Sequence, residues 1–554
     1  MKALSVLYGG RLGSEAFQTV SADSSAGMSS FSLAFAAASR FPGTQKVVFL
    51  AAEGKEYPGL PSGIETIFKS SWTPKNLLEE LSVLARGFDF LYFSWADCPF
   101  LDPALASSLA DRHIRYAAEY SYADGWPYGI APELLSVAAA PILAKMAGDG
   151  PVERDTLFEI IKKDINSFDI ETEISPSDLR QYRLSLCADS KRNLILLRRF
   201  IEAGFSSACD AERIITEKPE LLRTLPAFYS IQVSGACPQA CSLCPWPVYG
   251  GGEGPVSTRK DFMPSSAFAL LLDKIIEFSG DAVIDLSLWG ELSLHGEKME
   301  LIQMVLDRPP LSLVAETSGI GWKNEELEAL AAAAAAAAPR ENRMAPLSWI
   351  VSLDACDPER YKEVRGAGFS EARSCARKLL SLFPDDAYVQ AVRVKGYEDD
   401  IEHFYRFWKE EGLNSGLSGT GNYPLAGMKT EGNGAGSGGK SGRRSESSHI
   451  IIQKYDDFAG ALPKLQATDL SPVKRKPCWH IMRDMYILLD GRVPACREDL
   501  ACLKGMPCMP LWGNALGEEF SVIWERGLAL YKEHCKGEYK EICGNCDEWY
   551  TYNF

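Results

Sequence analysis

Apolar and polar positions change period repeatedly along the first third of the chain. Ala3 to Tyr8, Lys46 to Leu50 and Phe88 to Phe93 are short β-prone apolar runs. Between them, Phe31 to Ser39 and Lys75 to Ala85 carry the wider apolar spacing of helices, and Asn193 to Ala203 repeats it. Strands alternating with helices predict an α/β fold, here a parallel doubly wound sheet over residues 1–215. The alternation resumes near residue 222. Ala227 to Val233, Ala282 to Leu288, Leu311 to Ala315, Leu347 to Leu353, Ala387 to Val394 and His449 to Gln453 read as strands. Ser265 to Phe278, Phe369 to Leu382 and Asp400 to Glu411 read as helices. Repeats of this kind place binding loops at the carboxyl ends of the strands. A partial (βα)6 barrel over residues 222–470 is the simplest closed account.

Two stretches break the pattern. Leu330 to Pro339 is mostly alanine and extends a helix. Ser415 to Ser448 is rich in Gly and Ser and cannot bury enough apolar surface to order itself. It is read as a surface loop inside the barrel. From residue 471 to 554 a cysteine-rich segment follows, where Met485 to Pro494 reads as a β-hairpin around Asp490-Gly491.

Composition narrows the class. Of 554 residues, 46% are hydrophobic and 24% charged, the balance of a globular chain that forms several domains. A formal net charge of −16 argues against a nucleic-acid phosphate surface. No uninterrupted apolar stretch reaches the ~20 residues of a membrane span. The opening run, Met1 to Gly10, is too short for a secretory signal. The expected compartment is the cytoplasm, with no membrane and no nucleic-acid partner. There the 15 cysteines stay reduced, and clustering points to metal sooner than to disulfides. Cys98, Cys187, Cys209, Cys356 and Cys375 are isolated and read as small buried hydrophobes.

The remaining cysteines form two groups. Cys237, Cys241 and Cys244 stand at C-x3-C-x2-C directly after the strand at Ala227 to Val233. Thiolate is the ligand iron–sulfur clusters select. Three on one loop can hold three irons of a [4Fe–4S] cube and leave the fourth open. Zinc needs four ligands, and no further Cys or His lies near this loop. In the second group, Cys478 and Cys496 flank the expected hairpin, which brings them together, and Cys543-Gly544-Asn545-Cys546 adds a C-x2-C chelate. Four thiolates complete a cluster with no open iron, or bind a structural zinc. Cys502, Cys508 and Cys535 are further candidates to hold or replace a ligand.

The C-x3-C-x2-C loop resembles the signature of the radical S-adenosylmethionine (SAM) enzymes. In that family the open iron chelates the amino and carboxylate groups of SAM. The resemblance continues at strand ends. Gly290-Glu291 matches the "GE" motif, Ser352 and Asp354 the "S-L-D" element, and Tyr361-x-x-Val364-Arg365-Gly366 the stretch whose Arg is a carboxylate clamp. It implies that Gly290, Glu291, Ser352, Asp354 and Arg365 meet SAM. It also implies a one-electron donor such as flavodoxin or ferredoxin. Thr317-Ser318 stand where many relatives read T-N-G, and Leu243 where they often carry an aromatic. The spacing from Cys478 through Gly491 to Cys496 resembles the SPASM and twitch extensions of the same enzymes. Phe554 follows Cys546 by eight residues, so the resemblance implies one auxiliary [4Fe–4S] cluster, on Cys478, Cys496, Cys543 and Cys546. His295 and Cys356 stand near these motifs and read as structural groups.

The N-terminal third carries a separate resemblance. Asp97-Cys98-Pro99-Phe100-Leu101-Asp102-Pro103 and Tyr182 to Asp189 are similar to two elements of sugar nucleotidyltransferases, the cytidylyltransferases above all. It implies Asp97 and Asp189 as a pair holding the nucleotide's metal. The glycine-rich turn Gly9 to Ser14 lacks that family's Arg and Lys, and Glu15 would repel a triphosphate. A degenerate domain is therefore expected. The expected function is a SAM-cleaving enzyme acting on a peptide, protein, sugar nucleotide or glycan. Its rivals are a non-catalytic iron–sulfur scaffold and an active nucleotidyltransferase with an accessory cluster domain.

Overall fold

The computed structural model describes residues 1–20, 27–250, 261–414, 449–505 and 507–551. The glycine- and serine-rich stretch at 415–448 lies outside them. The chain divides into two compact units, Met1–Thr224 and Leu225–Phe554, so the cysteine-rich segment from residue 471 shares a unit with the second sheet.

In the first unit, β1 (Ala3–Tyr8) and β4 (Phe90–Trp95) are buried at every position, as strands covered on both faces must be. With β2 (Thr44–Ala52), β3 (Glu65–Lys69), β5 (Tyr120–Asp124), β6 (Glu133–Ser136) and β7 (Ile170–Ile174) they form a sheet of order β3-β2-β1-β4-β6-β5-β7. The sheet is mixed, not wholly parallel as expected: β6 runs antiparallel to both β4 and β5. The reason lies in the link. Residues 125–132 are too few for a parallel crossover, which needs about a dozen or more. Helices Ser30–Ala38, Pro74–Leu84, Pro103–Arg115 and Lys191–Glu202 start at side-chain caps on Ser29, Thr73, Asp102 and Ser190. Gly9 in the glycine-rich turn has a packing reason: a Cβ there would sit 2.4 Å from the Phe49 ring.

The second unit is built on β8 (Phe228–Ile231), β9 (Ala282–Asp285), β10 (Leu311–Thr317), β11 (Leu347–Ser352), β12 (Ala387–Arg393), β13 (Ile450–Lys454) and β14 (Asp484–Ile487). All are parallel, in the order β13-β12-β11-β10-β9-β8-β14. From β8 to β13 each strand lies beside the one before it. Right-handed crossovers between sequential neighbours put every connecting helix on one face. The other face must then be filled by its own side chains. Phe228, Val283, Val314, Ile350 and Tyr388, one from each of β8 to β12, form one apolar cluster there. Two residues further along each strand, on the same face, stand Ser230, Asp285, Glu316, Ser352 and Gln390. They bond to one another. Ser230 donates to Asp285, and Ser352 Oγ and Gln390 Nε2 donate to Glu316 Oε1 at 2.5 and 2.8 Å.

The expected hairpin at Met485 to Pro494 is only a turn. Leu488 N donates to Arg492 O at 2.9 Å, and Gly491 takes φ +82°. The two arms then part. β14 pairs with β8, while β15 (Arg492–Val493) pairs antiparallel with β16 (Gly513–Asn514). Alternation and an Asp-Gly turn cannot tell a hairpin partner from a sheet edge that already offers a row of unpaired groups. Among the described residues, no helix is long and apolar enough to cross a membrane.

Candidate metal centres

The cysteine loop leaves the carboxyl end of β8 and is pinned by backbone. Gly235 N donates to Asp261 O, Glu291 N to Ala236 O, and Ser242 N to Val364 O, at 2.8–2.9 Å. At Gly290 the approach is closest. Its φ is +156°, and a Cβ would lie 1.9 Å from Ser234 O, so only glycine fits. Cys237, Cys241 and Cys244 are each half-buried. Burial pushes the Cys237 thiol up to about 12 and raises Cys241 and Cys244 as well. Backbone groups oppose it: the N–H groups of Gln239, Cys241 and Trp246 point at Cys237, Cys241 and Cys244 in turn. Cys237 and Cys244 border an apolar cluster that includes Trp246, Trp289, Tyr486 and Cys502.

Arg365 joins the strand ends to this loop. Its Nε donates to Asp354 Oδ2 at 2.5 Å, and one terminal nitrogen lies 3.4 Å from Gln239 Oε1 and 4.0 Å from Cys241 Sγ. Burial works against the guanidinium's charge, but Asp354 and then Cys241 outweigh it and hold it protonated. Asp354 takes φ +60°, and its other oxygen accepts from Val392 N at 2.7 Å. Gln239, 3% exposed, also donates to Tyr361 Oη at 2.8 Å. Glu291 is 4% exposed, and both its oxygens are engaged. Oε1 accepts from Thr317 Oγ1 and Ser293 N, and Oε2 from Ser318 N, at 2.6–3.2 Å. Its carboxylate braces the loop after β10. Ser352 bonds within the polar row described above. His295 is satisfied on both nitrogens, Nε2 by Met263 O at 2.9 Å and Nδ1 by Glu297 N at 3.0 Å. Cys356 is half-exposed.

The second group converges. Cys478, Cys496, Cys543 and Cys546 all line one recess. Burial pushes Cys478 up to about 12 and raises the other three. Again a backbone N–H opposes it at every sulfur: His480 and Ile481 at Cys478, Glu498 at Cys496, Lys540 at Cys543 and Glu548 at Cys546. Cys502, Cys508 and Cys535 do not line this recess. Three further lining residues carry buried polar atoms without a partner: Arg475 Nε, Glu498 Oε2 and both ring nitrogens of His534. Unsatisfied atoms of this kind, gathered at one recess, mark a place for a group that the protein itself does not supply. Neither cysteine set is among the described groups whose ligand atoms all lie within 4.8 Å of one another; those are Asp97–Cys98–Cys187 and Asp456–Asp547–Glu548.

In the first unit Asp97 and Asp189 do come together, but around an arginine. Arg154 gives two bonds to Asp97, at 2.7 and 3.2 Å, and two to Asp189 Oδ2, at 2.8 and 3.1 Å. Asp97 is fully buried. The guanidinium stacks over Trp95 at 4.6 Å from the ring centroid. Cys98 and Cys187, read as isolated thiols, are neighbours here, with sulfurs 3.3 Å apart.

No family model matches the chain. An uncharacterized protein of Treponema pallidum (strain Nichols) is 32% identical over 408 residues, which span 72% of this chain and 98% of that protein. The chain belongs to the family of this Treponema protein. Among solved structures, Streptococcus suis SuiB bound to precursor peptide SuiA is 11% identical, spans 70% of this chain and 78% of its own, and has a TM-score of 0.38. A cytidylyltransferase from Leptospira borgpetersenii serovar Hardjo-bovis is 14% identical, spans 40% and 95%, and has a TM-score of 0.33. Likenesses this distant carry no argument, and the functional reading rests on this family member's own residues.

Several residues that build these sites carried no sequence signal. Arg154, Glu316 and His534 lie in no motif, and Gln239 is an unspecified position of the cysteine motif; only the fold shows what surrounds them. Two outcomes follow from the geometry. Gly290→Ala should push the cysteine loop off its seat, and Cys237, Cys241 and Cys244 should then be alkylated by iodoacetamide faster than in the parent, read by peptide mass spectrometry. Arg154→Ala leaves the buried Asp97 and the half-buried Asp189 without their cation and should destabilise the first unit by about 3 kcal/mol, measured by urea denaturation.

Proposed function

We propose that the chain is a radical SAM enzyme whose three-cysteine loop holds a [4Fe–4S] cluster. One observation carries the reading. Three half-buried thiols stand on a single loop at the carboxyl end of the first strand of a serial parallel sheet. The donor set fits the group, since thiolates with N–H···S hydrogen bonds are what iron–sulfur clusters use. Cys237, Cys241 and Cys244 would hold that cluster, and when bound and reduced by one electron from a flavodoxin- or ferredoxin-like donor it would supply reductive cleavage of SAM and hydrogen-atom abstraction from the substrate.

The chain's own residues have supporting tasks. Gly290 lets the loop close on the strand ends. Arg365, held by Asp354, brings a fixed positive charge beside Cys241, where it offsets cluster charge or pairs with the SAM carboxylate. Glu291 acts through Thr317 and Ser318, and so as a positioning residue. The polar row Ser230, Asp285, Glu316, Ser352 and Gln390 lines the face available to SAM hydroxyls and to a substrate, which we take to be a peptide, protein, sugar nucleotide or glycan.

We read the four-cysteine recess as the seat of one auxiliary [4Fe–4S] cluster. Around a tetrahedral zinc, with Zn–S near 2.3 Å, sulfurs stand about 3.8 Å apart. The wider set supports the larger group. We read the first unit as a nucleotidyltransferase-like domain without transferase activity, because Arg154 fills the space between the two carboxylates that a metal would take.

Anaerobically reconstituted protein should hold about eight irons and eight sulfides per chain. On reduction it should form 5′-deoxyadenosine from SAM, read by chromatography. Serine at Cys237, Cys241 and Cys244 should abolish that product and leave about four irons. Protein that holds iron at the loop yet never forms 5′-deoxyadenosine would favour the scaffold reading instead. Manganese with nucleoside triphosphates and sugar phosphates should release no pyrophosphate.

A further inference from the structure

His534 lies on the helix Leu528–Cys535 and is 2% exposed. Its ring meets Tyr539 edge-on, with centroids 4.9 Å apart at 78°, which fixes the plane of the imidazole. Neither Nδ1 nor Nε2 has a hydrogen-bond partner, although the residue lines the recess with Cys478, Cys496, Cys543 and Cys546. Glu498 Oε2, an unpartnered acceptor on the same recess, is out of its reach. Burial, and then the charge of Arg475, keep the ring neutral, its pKa pushed down to about 4. A neutral imidazole carries one N–H donor. Buried donors in native proteins are almost always satisfied, so this one calls for an acceptor. The side-chain acceptors on the recess include sulfurs, those of the four cysteines and of Met509.

We propose that His534 donates its ring N–H to a sulfur of the cluster seated in this recess, and so raises that cluster's reduction potential. The proposal rests on reading the recess as an auxiliary four-iron site. A hydrogen bond to sulfur favours the reduced cluster, which bears the extra negative charge, over the oxidised one. His534 would then be a positioning and tuning residue, not a ligand.

The test uses the full chain with alanine at Cys237, Cys241 and Cys244, so that only the auxiliary centre reports. The potential is read by EPR-monitored redox titration, and iron and sulfide are counted alongside. His534→Leu should keep about four irons. At the parent's midpoint, its ratio of reduced to oxidised cluster should fall about tenfold, a shift of about 59 mV for a one-electron couple. His534→Gln, which retains an N–H donor, should stay close to the parent. An unchanged potential in His534→Leu overturns the proposal. So does loss of iron in both variants, which would make the residue a packing element. Strong nitrogen hyperfine coupling in the parent would make it a ligand and overturns the proposal equally. A parent that holds no iron removes the auxiliary-cluster reading itself, an outcome distinct from iron retained with an unmoved potential.

Discussion

Backbone N–H groups aimed at sulfur are the interaction on which both cysteine groups depend. A thiol taken out of water resists ionisation, because the thiolate loses its solvation. All seven of these thiols are raised by burial, and all seven receive at least one backbone N–H that pulls the other way. The offset is not confined to the two groups, because Cys356 is met by its own N–H as Cys241 is; what sets the seven apart is that they share one loop or one recess. In five of the seven, Cys237, Cys244, Cys478, Cys496 and Cys546, a donor is the N–H two residues on. One local turn thus does the same work at both centres.

Charge compensation by arginine divides the two units. In each, a guanidinium pairs with a carboxylate that follows the carboxyl end of a strand, Asp97 after β4 and Asp354 after β11. Arg154 lies between Asp97 and Asp189 and uses three of its donors on them. The pair is left with a net charge of −1, and Arg154 already occupies both Asp97 oxygens and Asp189 Oδ2. Arg365 has one carboxylate partner, Asp354, and its other side faces Gln239 and Cys241. That side stays open to a negatively charged partner. The same residue type closes one site and keeps the other receptive, and the difference is the number of carboxylates within reach.

Much of this was legible along the chain, for definite reasons. β1 and β4 are continuous apolar runs, and the cysteine spacings are local, so both could be read without partners. β3, β5, β6 and β7 give no such signal because Glu65–Lys69, Tyr120–Asp124, Glu133–Ser136 and Ile170–Ile174 are short and carry charged or polar positions. Their strand character comes from the neighbours they pair with. The expected hairpin failed for a related reason. Met485 and Tyr486 alternate as a hairpin arm does, but the free edge of β8 competes for the same backbone groups. Arg154 and His534 were invisible because a lone basic residue has no periodicity to betray it. Glu291 stands in a motif that the chain displays openly, but the direction of its carboxylate depends on Thr317 and Ser318, which only the fold brings to it.

The serial order of β8 to β13 has a consequence for the chemistry. Since sequential right-handed crossovers stack helices on one face, the opposite face has only strand side chains to fill it. A face filled wholly with apolar groups would leave no place for a polar molecule, and one wholly polar would not hold the sheet together. The observed layering resolves the conflict along the strand direction. The apolar cluster of Phe228, Val283, Val314, Ile350 and Tyr388 comes first, the bonded polar row from Ser230 to Gln390 next, and the sulfur-bearing loop at the carboxyl ends last. Because side chains on one face recur every second residue, this order is written into each strand as one apolar and one polar residue two apart. Reversing the chain direction of the strands would carry the apolar cluster to the cysteine loop and the polar row away from it. The parallel arrangement thus decides both where the sheet is held together and where a reactive group can meet a polar substrate.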